Sequence, residues 1–196
     1  MNTVPMDSPR GRFALRLGTA QDIDAVCAID LEAGALFVAA GLDLSVPAEQ
    51  EIARNDRGRW LHSLVYGKSL VAVGPDDATP VGFAAWAVLD DEPYLDQLSV
   101  LTVFMRRGIG TALLEAAEGM VRAAGGRALW LTTYAHLSWN RPFYERKGFE
   151  LIPEEVWGPQ MRAEVAYQRC WLPCPENRVV MRKPLGVSPV RSVATL

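Results

Sequence analysis

Short apolar segments, bounded by glycine, proline and polar residues, recur along the chain and predict the strands of a sheet. Residues 13–17 and 178–182 alternate between apolar and polar positions, whereas residues 81–89 are almost continuously apolar. The predicted strands lie at residues 13–17, 69–73, 81–89, 94–101, 127–133 and 178–182. Gly74 and Pro75 stop the second strand, and the polar turn after them makes the second and third strands a hairpin.

Apolar residues at helical spacing predict helices between these strands. The predicted helices span residues 22–33, 48–55, 109–124, 140–147 and 154–168. Thr19 is placed to cap the first of them, and Gly125 and Gly126 end the third. A hairpin-rich first half followed by strand, helix, strand and helix predicts an α/β fold with helices on the faces of a mixed sheet.

Composition favours one soluble domain. The chain has 196 residues, of which 49% are hydrophobic and 22% charged, so residues 13–186 can bury a sizeable core. We expect flexible tails at residues 1–12 and 187–196. The net charge of −3 argues against nucleic acid as the main partner. No apolar run has the length of a membrane span, and residues 1–12 lack the apolar core of a secretory signal, so we expect a cytoplasmic protein.

The three cysteines, Cys27, Cys170 and Cys174, are too few for a disulfide framework and indicate a reducing compartment. Cys170 and Cys174 are four residues apart, but closed zinc sites usually contain two paired ligand clusters. We therefore expect no metal.

The segment around Gly108 and Gly110 is the most informative part of the sequence. It joins a predicted strand to a predicted helix, so backbone N–H groups and the helix dipole can bind one anion. Glycines there let a pyrophosphate approach the backbone, and Arg106 and Arg107 add positive charge. Leu113 stands where a dinucleotide fingerprint needs a third glycine or alanine, and no Gly-Lys-Ser/Thr follows, so two familiar nucleotide motifs are excluded.

Two ordered segments resemble conserved blocks of the GNAT superfamily of N-acetyltransferases. The first block is Leu98-Ser99-Val100 followed by Arg106-Arg107-Gly108-Ile109-Gly110-Thr111-Ala112-Leu113-Leu114. The second is Leu131-Thr132-Thr133-Tyr134 followed by Trp139-Asn140-Arg141-Pro142-Phe143-Tyr144-Glu145-Arg146-Lys147-Gly148-Phe149. The resemblance covers roughly residues 13–185 and implies a GNAT-like fold, whose mixed, mostly antiparallel sheet is splayed between the fourth and fifth predicted strands, 94–101 and 127–133.

The resemblance also implies that acetyl-CoA is the co-substrate and lies in the gap between those strands. The residues it assigns to cofactor binding are Leu98, Ser99, Val100, Arg106, Arg107, Gly108, Ile109, Gly110, Thr111, Asn140, Phe143 and Tyr144. Met105 departs from the family, which commonly has Gln or Arg there. The backbone donors do not depend on that side chain, so we expect binding to survive.

Acetyl transfer to an amine needs a base and an acid. An alkylammonium with a pKa of about 10.4 must lose a proton before it attacks, and Asp96 is our candidate base; Glu92, Glu32 or an ordered water are the alternatives. The leaving thiolate, whose parent thiol has a pKa of about 8.5, needs a proton donor. Tyr144 occupies the position of the usual general acid in the resembling block.

The leading hypothesis is an N-acetyltransferase that transfers an acetyl group to a small-molecule or peptide primary amine by direct attack in a ternary complex. The alternative is a non-catalytic acyl-CoA sensor of the same fold. We expect a cationic acceptor, because a set of acidic residues is placed to converge near the cleft: Asp30, Glu32, Asp90, Asp91, Glu92 and Asp96. The oligomeric state stays open, and a homodimer is compatible with the sequence.

Overall fold

The structure is a computed structural model that describes residues 4–8, 11–44, 55–74 and 79–186. Within these residues, eight strands form one sheet in the order β1-β2-β3-β4-β5-β6-β8-β7. The strands are β1 (Val4–Ser8), β2 (Gly11–Leu17), β3 (Ser69–Val73), β4 (Pro80–Leu89), β5 (Glu92–Val100), β6 (Ala128–Tyr134), β7 (Glu150–Leu151) and β8 (Arg178–Pro184).

One parallel pair interrupts an otherwise antiparallel sheet. β5 and β6 run parallel and are paired at Tyr94 with Trp130 and at Leu95 with Leu131. Beyond Leu95, β5 stays paired with β4 as far as Val100, and beyond Leu131, β6 stays paired with β8 as far as Tyr134. The two strands therefore diverge and leave an open gap. This confirms the predicted mixed, mostly antiparallel sheet that splays between residues 94–101 and 127–133.

Helices cover both faces of the sheet. They are α1 (Ile23–Ala39), α2 (Asp56–Val65), α3 (Ile109–Ala123), α4 (Arg141–Arg146) and α5 (Pro159–Trp171). On one face, α3 buries Leu113 and Leu114 against sheet residues such as Leu95 and Met181. On the other, α1 and α2 pack against β3 and β4, and α5 packs against Tyr94 and Val180. Because both faces are covered, the central strands are nearly continuous apolar runs.

Two predicted boundaries differ from the structure. Residues 4–8, which we expected in a flexible tail, form β1 and pair with β2. The predicted helix at residues 154–168 begins later, at Pro159, after a short 3-10 turn (Glu154–Val156). Proline has no N–H to donate and is favoured in the first helical turn, so it suits the start of α5. Most of the predicted helix at residues 48–55, and the predicted tail at residues 187–196, lie outside the described residues.

Helix α2 was missed by the sequence analysis. Its sequence begins with Asp56, Arg57, Gly58 and Arg59, and glycine and charged residues gave little apolar periodicity there. The buried positions are Trp60, Ser63 and Leu64, which lie on one face at spacings of three and four residues. This helix supplies one wall of the site described below.

Candidate active site

A glycine turn connects β5 to α3. After Val100 the chain makes a 3-10 turn (Thr102–Phe104), and α3 begins after Gly108, which has φ +88°. The first intrahelical bond runs from the Ala112 N–H to the Gly108 carbonyl at 2.9 Å. Helix geometry therefore leaves the N–H groups of Ile109, Gly110 and Thr111 without intrahelical acceptors at the positive end of the helix dipole. Such an end favours a phosphate group.

The two glycines of the turn have different roles. Gly108 needs its positive φ, which side chains rarely adopt, whereas Gly110 lies inside the first turn of α3. A Cβ at Gly110 would meet the Val100 side chain at an ordinary contact distance of 3.8 Å. Gly110 therefore does not require a positive φ. Because Gly110 has no side chain, it leaves space beside the N–H groups at the start of α3 that lack intrahelical acceptors.

Neighbouring side chains hold the turn in place. The Glu32 carboxylate accepts hydrogen bonds from the Thr102 hydroxyl and, at 3.0 Å, from the Thr102 N–H. The Arg107 guanidinium donates to the Val103 carbonyl at 2.9 Å and lies 5.0 Å from the centre of the Phe104 ring. Glu32 is thus engaged in fixing the backbone of the turn, and Arg107 folds back over its own segment.

Met105 packs, partly buried, against the core on the α3 face. The residue that departs from the family pattern therefore contributes apolar packing.

A β-bulge controls which way the β5 side chains point. Ala85 is opposite Gln97 but Trp86 is opposite Leu95, so Asp96 is an extra residue on β5. Leu95, Leu98 and Val100 consequently belong to the core on the α3 face. Strict alternation predicts Tyr94, Asp96 and Leu98 on one face. That prediction is wrong for Leu98, because the bulge shifts the alternation by one residue.

Asp96 lines a cavity of about 350 Å³ on the face of α2 and α5. The other lining residues come from α2 and its start, from β4 and β5, and from α5: Asn55, Gly58, Arg59, His62, Ser63, Trp86, Ala87, Leu89, Tyr94 and Glu164. This volume lies at the lower end of the range of small-molecule sites. Asp96 is the first residue of β5 beyond its last pair with β6, so the cavity adjoins the gap.

Three charged groups meet on the wall of this cavity. Nη2 of Arg59 donates to Oδ1 of Asp96 and, at 3.1 Å, to Oε1 of Glu164. Burial raises the pKa of Asp96 to about 6, and the nearby Glu164 carboxylate adds to the rise while Arg59 opposes it. Neither Arg59 nor Glu164 was predicted, since only tertiary packing brings them to Asp96.

A hydrogen-bonded network extends from this cluster toward the gap. The Gln168 side chain donates to Glu164 at 2.8 Å and to the Tyr94 hydroxyl at 2.9 Å. The Tyr94 hydroxyl also contacts the Thr132 hydroxyl at 2.9 Å, and Thr132 is the first β6 residue beyond its last pair with β5. Burial raises the pKa of Tyr94. The network therefore links the cavity to the point where the sheet opens.

Arg178 closes the network beside β6. Its Nη2 donates to Thr132 and Gln168, each at 2.7 Å, and its guanidinium lies 4.8 Å from the centre of the Tyr134 ring. Burial lowers the pKa of Arg178. Within the described part of the chain, its buried Nε has no hydrogen-bond partner.

Tyr144 lies on α4 and packs, partly buried, against the core on the α3 face. Its ring is 5.1 Å from that of Phe143 and 5.6 Å from that of Phe149. The Asn140 carbonyl accepts the Phe143 N–H at 2.9 Å, which fixes the start of the helix. Burial raises the pKa of Tyr144 to about 12, and the charge of Arg178 opposes the rise. Tyr144 and Asp96 therefore lie on opposite faces of the sheet.

The expected convergence of acidic residues is wrong in part. Asp90 accepts the N–H groups of Gln160 and Met161, both at 2.9 Å, and so caps α5. Asp30 accepts hydrogen bonds from Gln97 and from Trp60, and burial raises its pKa. Glu32 holds the glycine turn. Of the residues named in that prediction, Asp96 lines the cavity, and its acidic neighbour there is Glu164.

Comparison with known proteins identifies the family to which the chain belongs. The family described as the Acetyltransferase (GNAT) family matches residues 39–149. The chain belongs to the GNAT acetyltransferase family. It is 31% identical over 134 residues to the uncharacterized N-acetyltransferase YafP of Escherichia coli strain K12, an alignment that covers 68% of this chain and 79% of YafP.

Solved GNAT structures share the fold. The PaiA N-acetyltransferase from Thermoplasma acidophilum, in complex with coenzyme A, superposes with a TM-score of 0.65 at 18% identity, covering 88% of this chain and 98% of PaiA. N-acetylglutamate synthase from Neisseria gonorrhoeae, complexed with coenzyme A and N-acetyl-glutamate, gives 0.62 at 16% identity, covering 89% of this chain and 35% of the synthase. These likenesses support the GNAT fold.

The described residues were found to contain neither a membrane-spanning helix nor a cluster of metal ligands. None of their helices is long and apolar enough to cross a membrane. Among the same residues, no group of three or more His, Cys, Asp and Glu side chains could hold a metal ion.

Proposed function

We propose that the protein is an N-acetyltransferase that transfers the acetyl group of acetyl-CoA to a primary amine by direct attack in a ternary complex. The observation that carries this proposal is the path of β5. The strand leaves β6 after Leu95, turns Asp96 into the cavity on one face, and then leads into the glycine turn of α3. A donor site and an acceptor site thus adjoin the same gap.

Acetyl-CoA fits this arrangement as the first substrate. Its pyrophosphate would accept hydrogen bonds from the N–H groups of Ile109, Gly110 and Thr111. Its pantetheine arm would run along the backbone of Leu98, Ser99 and Val100, since an extended amide chain pairs naturally with an open strand edge. A backbone N–H of that segment would polarise the thioester carbonyl. The remaining residues that the resemblance assigns to cofactor binding are Arg106, Arg107, Gly108, Asn140, Phe143 and Tyr144.

The chemical step requires proton transfers at the nitrogen and at the leaving sulfur. Asp96, or a water that it holds, removes a proton from the acceptor ammonium, and the amine nitrogen then attacks the thioester carbon. The nitrogen of the tetrahedral intermediate loses its second proton to solvent as the C–S bond breaks, so the product is a neutral amide. Burial raises the Asp96 pKa to about 6, which makes it a stronger base than an ordinary carboxylate. Tyr144 donates its proton to the leaving thiolate. Burial weakens this acid, and the positive charge of Arg178 works in the opposite direction.

The charges of the cavity favour a cationic acceptor. Asp96 and Glu164 together carry two negative charges, and Arg59 compensates one of them. An ammonium group supplies the remaining counter-charge. A basic residue beside the cleft would ordinarily favour an anionic acceptor, but Arg59 is already bonded to both carboxylates.

Release of free thiol from acetyl-CoA across a panel of amines tests the function. We expect release with at least one primary amine, together with the mass of the acetylated product. Isothermal calorimetry with coenzyme A is run beside it. Coenzyme A binding without thiol release for any amine would support the sensor alternative, and the absence of binding would contradict both functions.

A further inference from the structure

Arg59 lies between two carboxylates on the cavity wall, and its own packing fixes it there. Its guanidinium carbon lies 5.9 Å from the ring centres of Trp60 and Tyr167. The side chain is 28% exposed, while those of Asp96 and Glu164 are 11% and 16% exposed. One nitrogen of Arg59 therefore joins α2 to β5 and α5, in a partly buried place where ion pairs are weakly screened.

We propose that Arg59 is a positioning residue for acetyl transfer, which holds the carboxylates of Asp96 and Glu164 together at the cavity wall where the acceptor amine loses its proton. This inference rests on the proposed function, because Asp96 has that task only if an amine is acetylated in this cavity. Arg59 acts through Asp96 and need not touch the reacting atoms.

The charges around Asp96 explain why it needs Arg59. Glu164 from α5 and Asp56 from α2 are anions that raise its pKa in addition to burial, and Arg59 is the cation that lowers it. His62 from α2 and Tyr94 from β5 also line the cavity. Without Arg59, burial and two like charges would act on Asp96 without compensation. A carboxyl group that is protonated at neutral pH cannot accept the proton of the amine.

Two substitutions should move the titration of Asp96 in opposite directions. Arg59→Gln removes the cation, so the Asp96 pKa rises and the acidic limb of the kcat/KM profile moves up by about one pH unit or more. Glu164→Gln removes an anion, so the same limb moves down. Arg59→Lys keeps the charge and restores most of the profile. The limb is measured by thiol release, and Asp96 is titrated directly by carboxyl carbon NMR in the free protein.

Arg57 offers a matched control on the same helix. It is exposed and pairs with Asp24, away from the cavity, so Arg57→Gln should leave both the limb and the Asp96 titration unchanged. If Arg59→Gln lowers kcat/KM equally at every pH and Asp96 titrates as in the wild type, Arg59 is merely structural and the proposal is overturned. If Arg59→Gln does not fold, the Glu164→Gln variant decides. An Asp96 pKa that is the same in Glu164→Gln as in the wild type then overturns the proposal.

The two readouts separate this inference from the proposed function. Failure of the proposed function appears as absence of thiol release while the opposite NMR shifts persist. Failure of the inference appears as thiol release with unmoved NMR titrations.

Discussion

The glycine turn and the charged cavity lie at the two ends of the same short strand segment, but they are built in different ways. The turn is formed mainly by adjacent residues, since Gly108 with its positive φ directly precedes α3, and Glu32 is a distant residue that supports it. The cavity is assembled from distant parts, because Arg59 bonds to Asp96 37 positions away and to Glu164 105 positions away. A change in the turn should therefore affect one substrate, while a change in the cavity should affect the other.

Tyr144→Phe should have the largest effect on activity. Tyr144 is the proposed general acid of the acetyl-transfer step, which needs the substrates of both regions. We expect kcat to fall about 10²- to 10⁴-fold with little change in cofactor affinity, as for the loss of a general acid. Steady-state kinetics and calorimetry with coenzyme A measure the two quantities. Turnover within a few-fold of the wild type would mean that Tyr144 only packs against Phe143 and Phe149.

The turn and the start of α3 were predicted well because adjacent residues determine their backbone structure. Gly108, Gly110 and the following apolar helix pattern identified both the turn and its helix, and the structure has α3 at Ile109–Ala123. The gap between β5 and β6 was expected from the resemblance to the family and is present in the structure. Glu32 was an alternative base and one of the acidic residues expected to converge, but it bonds to Thr102, which lies 70 positions away, and no local pattern records that contact.

Gly110→Val should have the next largest effect and should be confined to the donor substrate. The fold tolerates a side chain there, but the added carbons occupy the space in front of the free N–H groups. Hydrogen bonds to a charged group contribute roughly 1.5–3 kcal/mol, so we expect coenzyme A affinity to fall about 10- to 100-fold or beyond detection.

Gly119→Val is the matched control for that change. Gly119 lies in the same helix, and a Cβ there would meet nothing within 4 Å, so this variant adds the same side chain to α3 without touching the turn. Calorimetry with coenzyme A and a thermal melt are compared for both variants. Equal affinity in Gly110→Val and Gly119→Val, with both folded, would remove the turn from the proposed cofactor site.

The cavity was predicted poorly for two physical reasons. The first is the bulge between β4 and β5, an extra residue that no alternation pattern reveals, which separates Leu98 from the face of Asp96. The second is that α2 buries one narrow stripe and carries Gly58 at its start, so its sequence gave a weak helical signal. Asp96 itself was found because it lies beside the recognisable motif, whereas Arg59 and Glu164 carry no motif of their own.

The smallest expected effect concerns the charge of the acceptor, and it tests whether the cavity acts as an acidic site at all. Because Asp96 and Glu164 exceed Arg59 by one negative charge, cationic amines should have a higher kcat/KM than neutral or anionic amines of the same size. Raising the ionic strength shortens the range of this attraction, so kcat/KM for cationic amines should fall about two- to fivefold between low and high salt, while neutral amines change little. Kinetics at two salt concentrations with size-matched amines measure both trends. A preference for anionic amines, or rates for cationic amines that do not respond to salt, would contradict the acidic site. In that case the positive charge of Arg59 would determine which acceptor binds, and the carboxylates of Asp96 and Glu164 would only position the Arg59 side chain.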